Sequence, residues 1–175
     1  MVSEVRKREL FDALVRRYGT DLFRYAVWLC GDPALASDLV QETCLRAWKG
    51  IGRLNDEGAA KSWLLTILRR EYARTFERKR LPLSDIDAVP EPVSAADGPE
   101  QVAETRNLRE CVLRLPPTYR EPLLMQVVLG LSCDEIATEL DIGRNAVMTR
   151  LFRAREKLKA SLHKDGITGN VHELF

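Results

Sequence analysis

The chain has 175 residues, 45% of them apolar and 30% charged, with 27 basic and 26 acidic side chains for a net charge of +1. That composition belongs to an ordinary soluble protein of one medium domain or two small ones, with no run near the roughly eighteen uncharged apolar residues of a membrane span. The near-neutral total also excludes a protein that grips DNA by bulk charge alone, which needs a large basic surplus. The N-terminal stretch MVSEVRKRELFDAL has no apolar core followed by small residues, so no secretory signal is read there and a cytoplasmic location is expected.

The first predicted helix contains DLFRYAVWLC (Asp21–Cys30), apolar nearly all round and therefore expected to be buried on most sides, with Gly31-Asp32-Pro33 breaking it. The next, Ala34–Lys49, is amphipathic. Ala36, Leu39, Val40, Thr43 and Ala47 fall on one face, and Asp38, Gln41, Glu42, Leu45 and Lys49 on the other, with Trp48 at its edge. Leu45 stands among polar neighbours. An isolated exposed leucine is ordinarily of no consequence, but one on a polar face also suits a partner helix, and both readings stand. A third helix runs from Ser62 to Arg80 with Leu64, Leu68, Tyr72 and Phe76 inward. Arg70, Arg74 and Arg78 line its opposite side beside Trp63 and Ile67. A solvated basic face is the bland explanation. Three arginines at i, i+4 and i+8 repel one another unless an anion lies across them, and aromatic residues between them suit stacking on exposed bases.

Residues 81–100 contain four prolines, five acidic side chains and no basic one, a composition that predicts a linker. Beyond it, Ser132 and Glu135 form a capping box that starts a helix with Ile136, Ala137 and Leu140 inward. Asp141-Ile142-Gly143 supplies a turn, in which Gly143 is expected to take the tight corner. The following helix buries Val147, Leu151, Ala154 and Leu158 and turns Asn145, Met148, Thr149, Phe152 and Arg153 outward, with Arg144 and Arg150 on the flanks. Two short helices about a three-residue turn, the second one basic, match a groove-reading helix-turn-helix. A generic αα-hairpin is the alternative. Arg144, Arg150, Arg153, Arg155, Lys157 and Lys159 are placed for phosphates, and Asn145, Met148 and Thr149 for base edges.

The chain is thus read as all-α, with two small helical domains at about 5–80 and 101–163, the linker at 81–100 between them and a tail at 164–175. Charge follows that division. Residues 1–80 hold 16 basic and 11 acidic side chains, and residues 142–164 hold seven basic against one acidic. The cysteines at 30, 44, 111 and 133 and the histidines at 163 and 172 are too scattered for a metal site, so no metal or cofactor is expected and the thiols read as buried and reduced. No Ser/His/Asp grouping or phosphate-cradling glycine loop points to catalysis.

Taken in order, DLVQET (Asp38–Thr43), RAW (Arg46–Trp48), WLLTILRR (Trp63–Arg70), LPPTYREPLL (Leu115–Leu124), GLSCDEIA (Gly130–Ala137) and VMTRLFRAREKL (Val147–Leu158) resemble the extracytoplasmic-function sigma factors of bacterial RNA polymerase. The resemblance runs from about residue 10 to 162. It implies that the helix bearing Asp38, Gln41 and Glu42 docks on core RNA polymerase, on the face that also carries Leu45 and Trp48. It implies further that the side carrying Trp63, Ile67, Arg70, Arg74 and Arg78 reads and opens the minus-ten promoter element as single strand. The helix with Arg144, Asn145, Met148, Thr149, Arg150 and Arg153 then reads the duplex minus-thirty-five element, the linker threads the polymerase cleft, and an anti-sigma factor masks the contacting faces.

Four positions depart from the family pattern. Arg70 and Arg74 replace the usual asparagine and the usual aspartate or asparagine, Met148 replaces a lysine, and Pro122 falls inside an expected helix. The implied mechanism reconciles the near-neutral charge with promoter binding, because two modest DNA contacts joined through the polymerase need not be tight singly. Twenty extended linker residues reach at most about 70 Å, comparable to two duplex turns. The competing reading is a stand-alone helix-turn-helix regulator that binds duplex DNA as a dimer.

Overall fold

The computed structural model describes residues 4–54, 56–79 and 99–165, without the side chains of Phe76, Arg78, Lys79 and residues 99–105. The described residues form seven α-helices and two single 3-10 turns, with no strand among them. They fall into two compact units, one centred on the first three helices and one on the last four. Most of the expected linker and tail lies outside the described residues.

Helix α1 spans Glu4–Cys30. It begins well before the apolar stretch that announced it and opens with an acidic residue that favours the positive end of the helix dipole. Along residues 21–30 the expectation of burial on most sides holds except at one edge: Leu22, Tyr25, Ala26, Val27 and Leu29 are buried and Asp21, Trp28 and Cys30 half-buried, whereas Phe23 and Arg24 are exposed. A long helix carries a buried stripe, and polar residues spaced along it keep the opposite side in water. Gly31 ends it at φ 76°, the left-handed turn that a side chain resists, and its N–H reaches the Val27 carbonyl at 2.9 Å.

Asp32 then caps α2 (Pro33–Gly50), its carboxylate accepting from the N–H groups of Ala34 at 2.8 Å and Leu35 at 3.2 Å, with Pro33 at the first helical position. Helix α2 buries Ala36, Leu39, Thr43 and Ala47 against α3 (Ala60–Lys79). The buried Thr43 hydroxyl donates to the Leu39 carbonyl at 2.7 Å, so this polar group carries no unmet hydrogen bond. From α3 come Leu64, Leu65, Leu68 and Tyr72. Ala36, Ala47 and Ala60 are buried as well. Phe76, the last residue of the expected inward stripe, lies outside the described side chains.

The second unit holds α4 (Pro99–Leu113), α5 (Pro117–Val127), α6 (Cys133–Leu140) and α7 (Arg144–Lys164). Helix α4 therefore begins inside the range read as linker, with a proline at its first position. Helix α5 starts at Pro117 and runs through Pro122, which is buried. Arg120 is buried too, and its Nη1 donates to the Leu113 carbonyl at 2.9 Å, closing the C-terminal end of α4. Helix α7 is the spine, packed on α4, α5 and α6 through Val147, Leu151, Ala154, Leu158 and Leu162. Of the four thiols only Cys111 is buried; Cys30, Cys44 and Cys133 are half-buried.

Candidate functional site

On α2 the outward face is assembled as the spacing predicts. Asp38 and Gln41 are exposed, Glu42 is half-buried, and Leu45 is 56% exposed. Trp48, 37% exposed, is steadied from behind by Phe11 of α1, whose ring meets it edge-on at 5.3 Å between centroids. The face thus offers a fixed aromatic and a free leucine, flanked by carboxylates.

On α3, Trp63 and Ile67 are half-buried and Arg70 and Arg74 exposed, while the Arg78 side chain lies outside those described. Arg74 is less free than its exposure suggests. Its Nη1 donates to Glu71 Oε1 at 2.9 Å, and the same oxygen lies 2.6 Å from Arg46 Nε of α2. Arg46 Nε is also 3.0 Å from Glu42 Oε1, close enough for ion pairing although no aligned hydrogen bond forms. Glu71 is only 6% exposed. A buried carboxylate is tolerable only when paired, and here one carboxylate holds two arginines from two helices.

Around this pairing lies a cleft of about 280 Å³ lined by Leu35, Asp38, Leu39, Glu42, Glu71, Arg74 and Thr75. The sequence assigns Asp38 and Glu42 to one contact and Arg74 to another; the structure brings all three to the same cleft. Glu71 and Arg46 were missed as joining them. Their signal was faint but present, a glutamate beside the inward stripe of α3 and an arginine one turn after Glu42.

The helix-turn-helix is built as its caps dictate, with one correction. Ser132 Oγ accepts from the Glu135 N–H at 3.3 Å while Glu135 Oε2 accepts from the Ser132 N–H at 2.8 Å, completing the capping box. The left-handed corner belongs to Asp141, at φ 52°, and not to Gly143, which is extended at φ −69° and serves as the N-cap of α7. Aspartate tolerates this conformation better than most residues. The end of α6 rewards it, for the N–H groups of Ile142 and Asp141 reach the Ala137 and Thr138 carbonyls at 3.0 and 3.3 Å.

Along α7, Arg144, Asn145, Met148, Thr149, Phe152 and Arg153 are exposed and Arg150 is half-buried. Arg144 lies 3.6 Å from Asp134 across an exposed pair that contributes little to stability. Thr149 Oγ1 donates to the Asn145 carbonyl at 2.9 Å, so its proton is already used. Two of the cations expected at phosphates have partners inside the unit. Arg155 is held by the Gln126 side chain, and the Lys157 ammonium sits 5.9 Å from the Tyr119 ring centroid.

Comparison with known proteins agrees with both halves. The family profile of Sigma-70 region 2 matches residues 14–81, and that of Sigma-70, region 4 matches residues 105–158. The ECF RNA polymerase sigma factor SigL of Mycobacterium tuberculosis is 32% identical over 164 residues, 91% of this chain and 92% of that protein. The ECF RNA polymerase sigma factor EcfG of Rhodopseudomonas palustris is 31% identical over 143 residues, 81% of this chain and 79% of the relative. Among solved structures, the sigma factor RpoE of Bartonella quintana, in complex with the anti-sigma factor NepR, superposes with a TM-score of 0.73 at 23% identity, over 87% of this chain and 96% of that one. At that identity the likeness speaks for the fold.

Proposed function

The chain belongs to the ECF RNA polymerase sigma factors, and on that premise we propose that it binds core RNA polymerase and directs initiation at promoters carrying two recognition elements. In this reading Asp38, Gln41, Glu42, Leu45 and Trp48 of α2 form the polymerase contact. Trp63, Ile67, Arg70, Arg74 and Arg78 of α3 engage the minus-ten element as a single strand. Arg144, Asn145, Met148, Thr149, Arg150 and Arg153 of α7 engage the duplex minus-thirty-five element. Residues 5–80 and 101–163 are the two working domains, 81–100 their tether and 164–175 a tail. The chain performs no chemistry itself, acts in the cytoplasm where the polymerase is, and is held in check by an anti-sigma factor, the kind of partner bound to the Bartonella quintana relative.

The observation that carries the reading is the outward face of α7. Beyond a complete capping box and a closed turn, it presents base-sized side chains between arginines, while the opposite side is fully committed to the core. The stand-alone regulator is set aside, because sigma factors match over nine-tenths of both chains. The test is a pull-down of core polymerase with the full chain. Changing Asp38 and Glu42 together to Ala is expected to weaken capture by at least tenfold, whereas Arg150→Ala leaves capture intact and weakens minus-thirty-five binding. Undiminished capture by the double variant disproves the docking assignment.

A further inference from the structure

Met148 and Phe152 are 52% and 65% exposed, two large apolar side chains one helical turn apart in the middle of the outward face of α7. Single apolar residues at a surface are ordinary; two at i, i+4 spacing lie side by side and make one apolar strip on an otherwise polar face. Between them Thr149 has turned its proton back onto the Asn145 carbonyl, so it offers no donor while that bond holds. The centre of the face is therefore apolar, and hydrogen-bonding capacity is concentrated at its N-terminal end in Asn145. Arg144, Arg150 and Arg153 surround the strip. That frame of positive charge is complementary to the phosphate walls of a major groove and names duplex DNA as the occupant.

Inside that groove the one apolar group on a base edge is the C5-methyl of thymine. We propose that Met148 and Phe152 read thymine methyl groups, so that the minus-thirty-five element of this protein is specified at two positions by thymine. This deepens the functional reading above and rests on it. Residues four apart on a helix lie about 6 Å apart along its axis. Duplex base pairs rise about 3.4 Å each, so the two methyls fall two base pairs apart. Asn145, one turn nearer the start of the helix, suits an adenine beyond them.

The experiment uses the full chain with core polymerase. Duplexes bound by this holoenzyme are selected from a library randomised across the minus-thirty-five region. Each thymine of the winning element is then replaced by uracil, which removes the methyl and leaves every hydrogen-bonding group. Uracil is expected to lower affinity about fourfold at each of two positions spaced by two base pairs, the worth of one buried methyl, and to have no effect elsewhere in the element. Met148→Ala and Phe152→Ala should each abolish the thymine preference at one position. Both side chains are exposed, so the melting temperature should not move.

Selected duplexes indifferent to uracil overturn the proposal and leave the sigma-factor reading standing. Failure to select any minus-thirty-five duplex counts against that reading itself. Should the alanine variants keep the thymine preference and instead lose polymerase or another protein partner, the strip is a protein contact and the proposal is wrong.

Discussion

At the scale of single residues, Glu71 is the side chain whose role least resembles its residue type. It is buried, its Oε1 lies within 2.9 Å of both Arg46 and Arg74, and it ties the helix proposed to dock polymerase to the helix proposed to read DNA. Its partners are nearly half exposed, which screens the pairs, so the full cost of breaking a buried ion pair does not apply. Glu71→Ala is expected to destabilise the N-terminal unit by roughly 1–2 kcal/mol, and Glu71→Gln, which keeps an acceptor, by less; thermal melts of the two variants against the parent test the order. Asp165 makes a comparable tie in the other unit, 2.7 Å from Arg114 and 3.4 Å from the Cys111 thiol. The hydrogen bond from Arg114 holds its carboxyl below the ordinary carboxylate range, and burial pushes the Cys111 thiol up. A depressed carboxyl stabilises the fold above the unfolded value, near pH 4, and that contribution fades as pH falls through the lower folded value. Protection factors of α7 amides, taken relative to the intrinsic exchange rate at each pH, should therefore fall in acid in the parent, and Asp165→Asn should already show part of that fall at neutral pH. A variant as well protected as the parent at neutral pH contradicts the tie.

At the scale of elements, what was legible followed from periodicity and caps. Leu64, Leu68 and Tyr72, and likewise Val147, Leu151, Ala154 and Leu158, are buried where a 3.6-residue repeat puts them, and the Ser132–Glu135 box begins α6 where its spacing says. Of the faces proposed for polymerase and DNA, the exposure of Leu45, Arg70 and Met148 was readable in the same way. Pairing between helices was not, because repeat and cap describe a helix by itself: spacing along one helix places neither Arg46 of α2 on Glu71 of α3 nor Gln126 of α5 on Arg155 of α7. The turn between α6 and α7 misled for a related reason. Glycine is the default at a left-handed corner, yet the chain places Asp141 there and leaves Gly143 extended, with open space where a Cβ would stand. Gly143→Ala, which only exchanges one N-cap residue for a poorer one, is accordingly expected to cost no more than about 1 kcal/mol, whereas Asp141→Val, a branched side chain forced to positive φ, should cost on the order of 1–3 kcal/mol. Asp141→Gly should cost nothing or stabilise. Denaturant melts followed by circular dichroism rank the three, and a Gly143→Ala more damaging than Asp141→Val would return the corner to the glycine.

At the scale of the whole molecule, the net charge of +1 constrains how promoter binding must be divided. The outward arginines of α7 are Arg144, Arg150 and Arg153, and Arg144 is partly offset by Asp134 at 3.6 Å. Each phosphate neutralised steepens the logarithmic salt dependence of binding by about 0.9, so with the exposed Lys159 as a fourth cation the free chain should show a slope no steeper than roughly −4 on minus-thirty-five duplex, with affinity in the micromolar range or weaker. Joining that contact to a second through the polymerase converts it into an intramolecular event, which is worth about 10²- to 10⁴-fold without any new contact on α7. Equilibrium anisotropy with a labelled duplex spanning both elements measures each part. Core polymerase should tighten binding by that factor, and changing Asp38 and Glu42 to Ala should erase the gain while leaving the affinity of the free chain unchanged. Arg153→Ala should do the reverse, lowering the free-chain slope by about one and leaving the polymerase-dependent factor in place. A double variant at Asp38 and Glu42 that weakened the free chain as well would mean that α2 itself touches DNA, and the separation of the two contacts onto separate helices would fail.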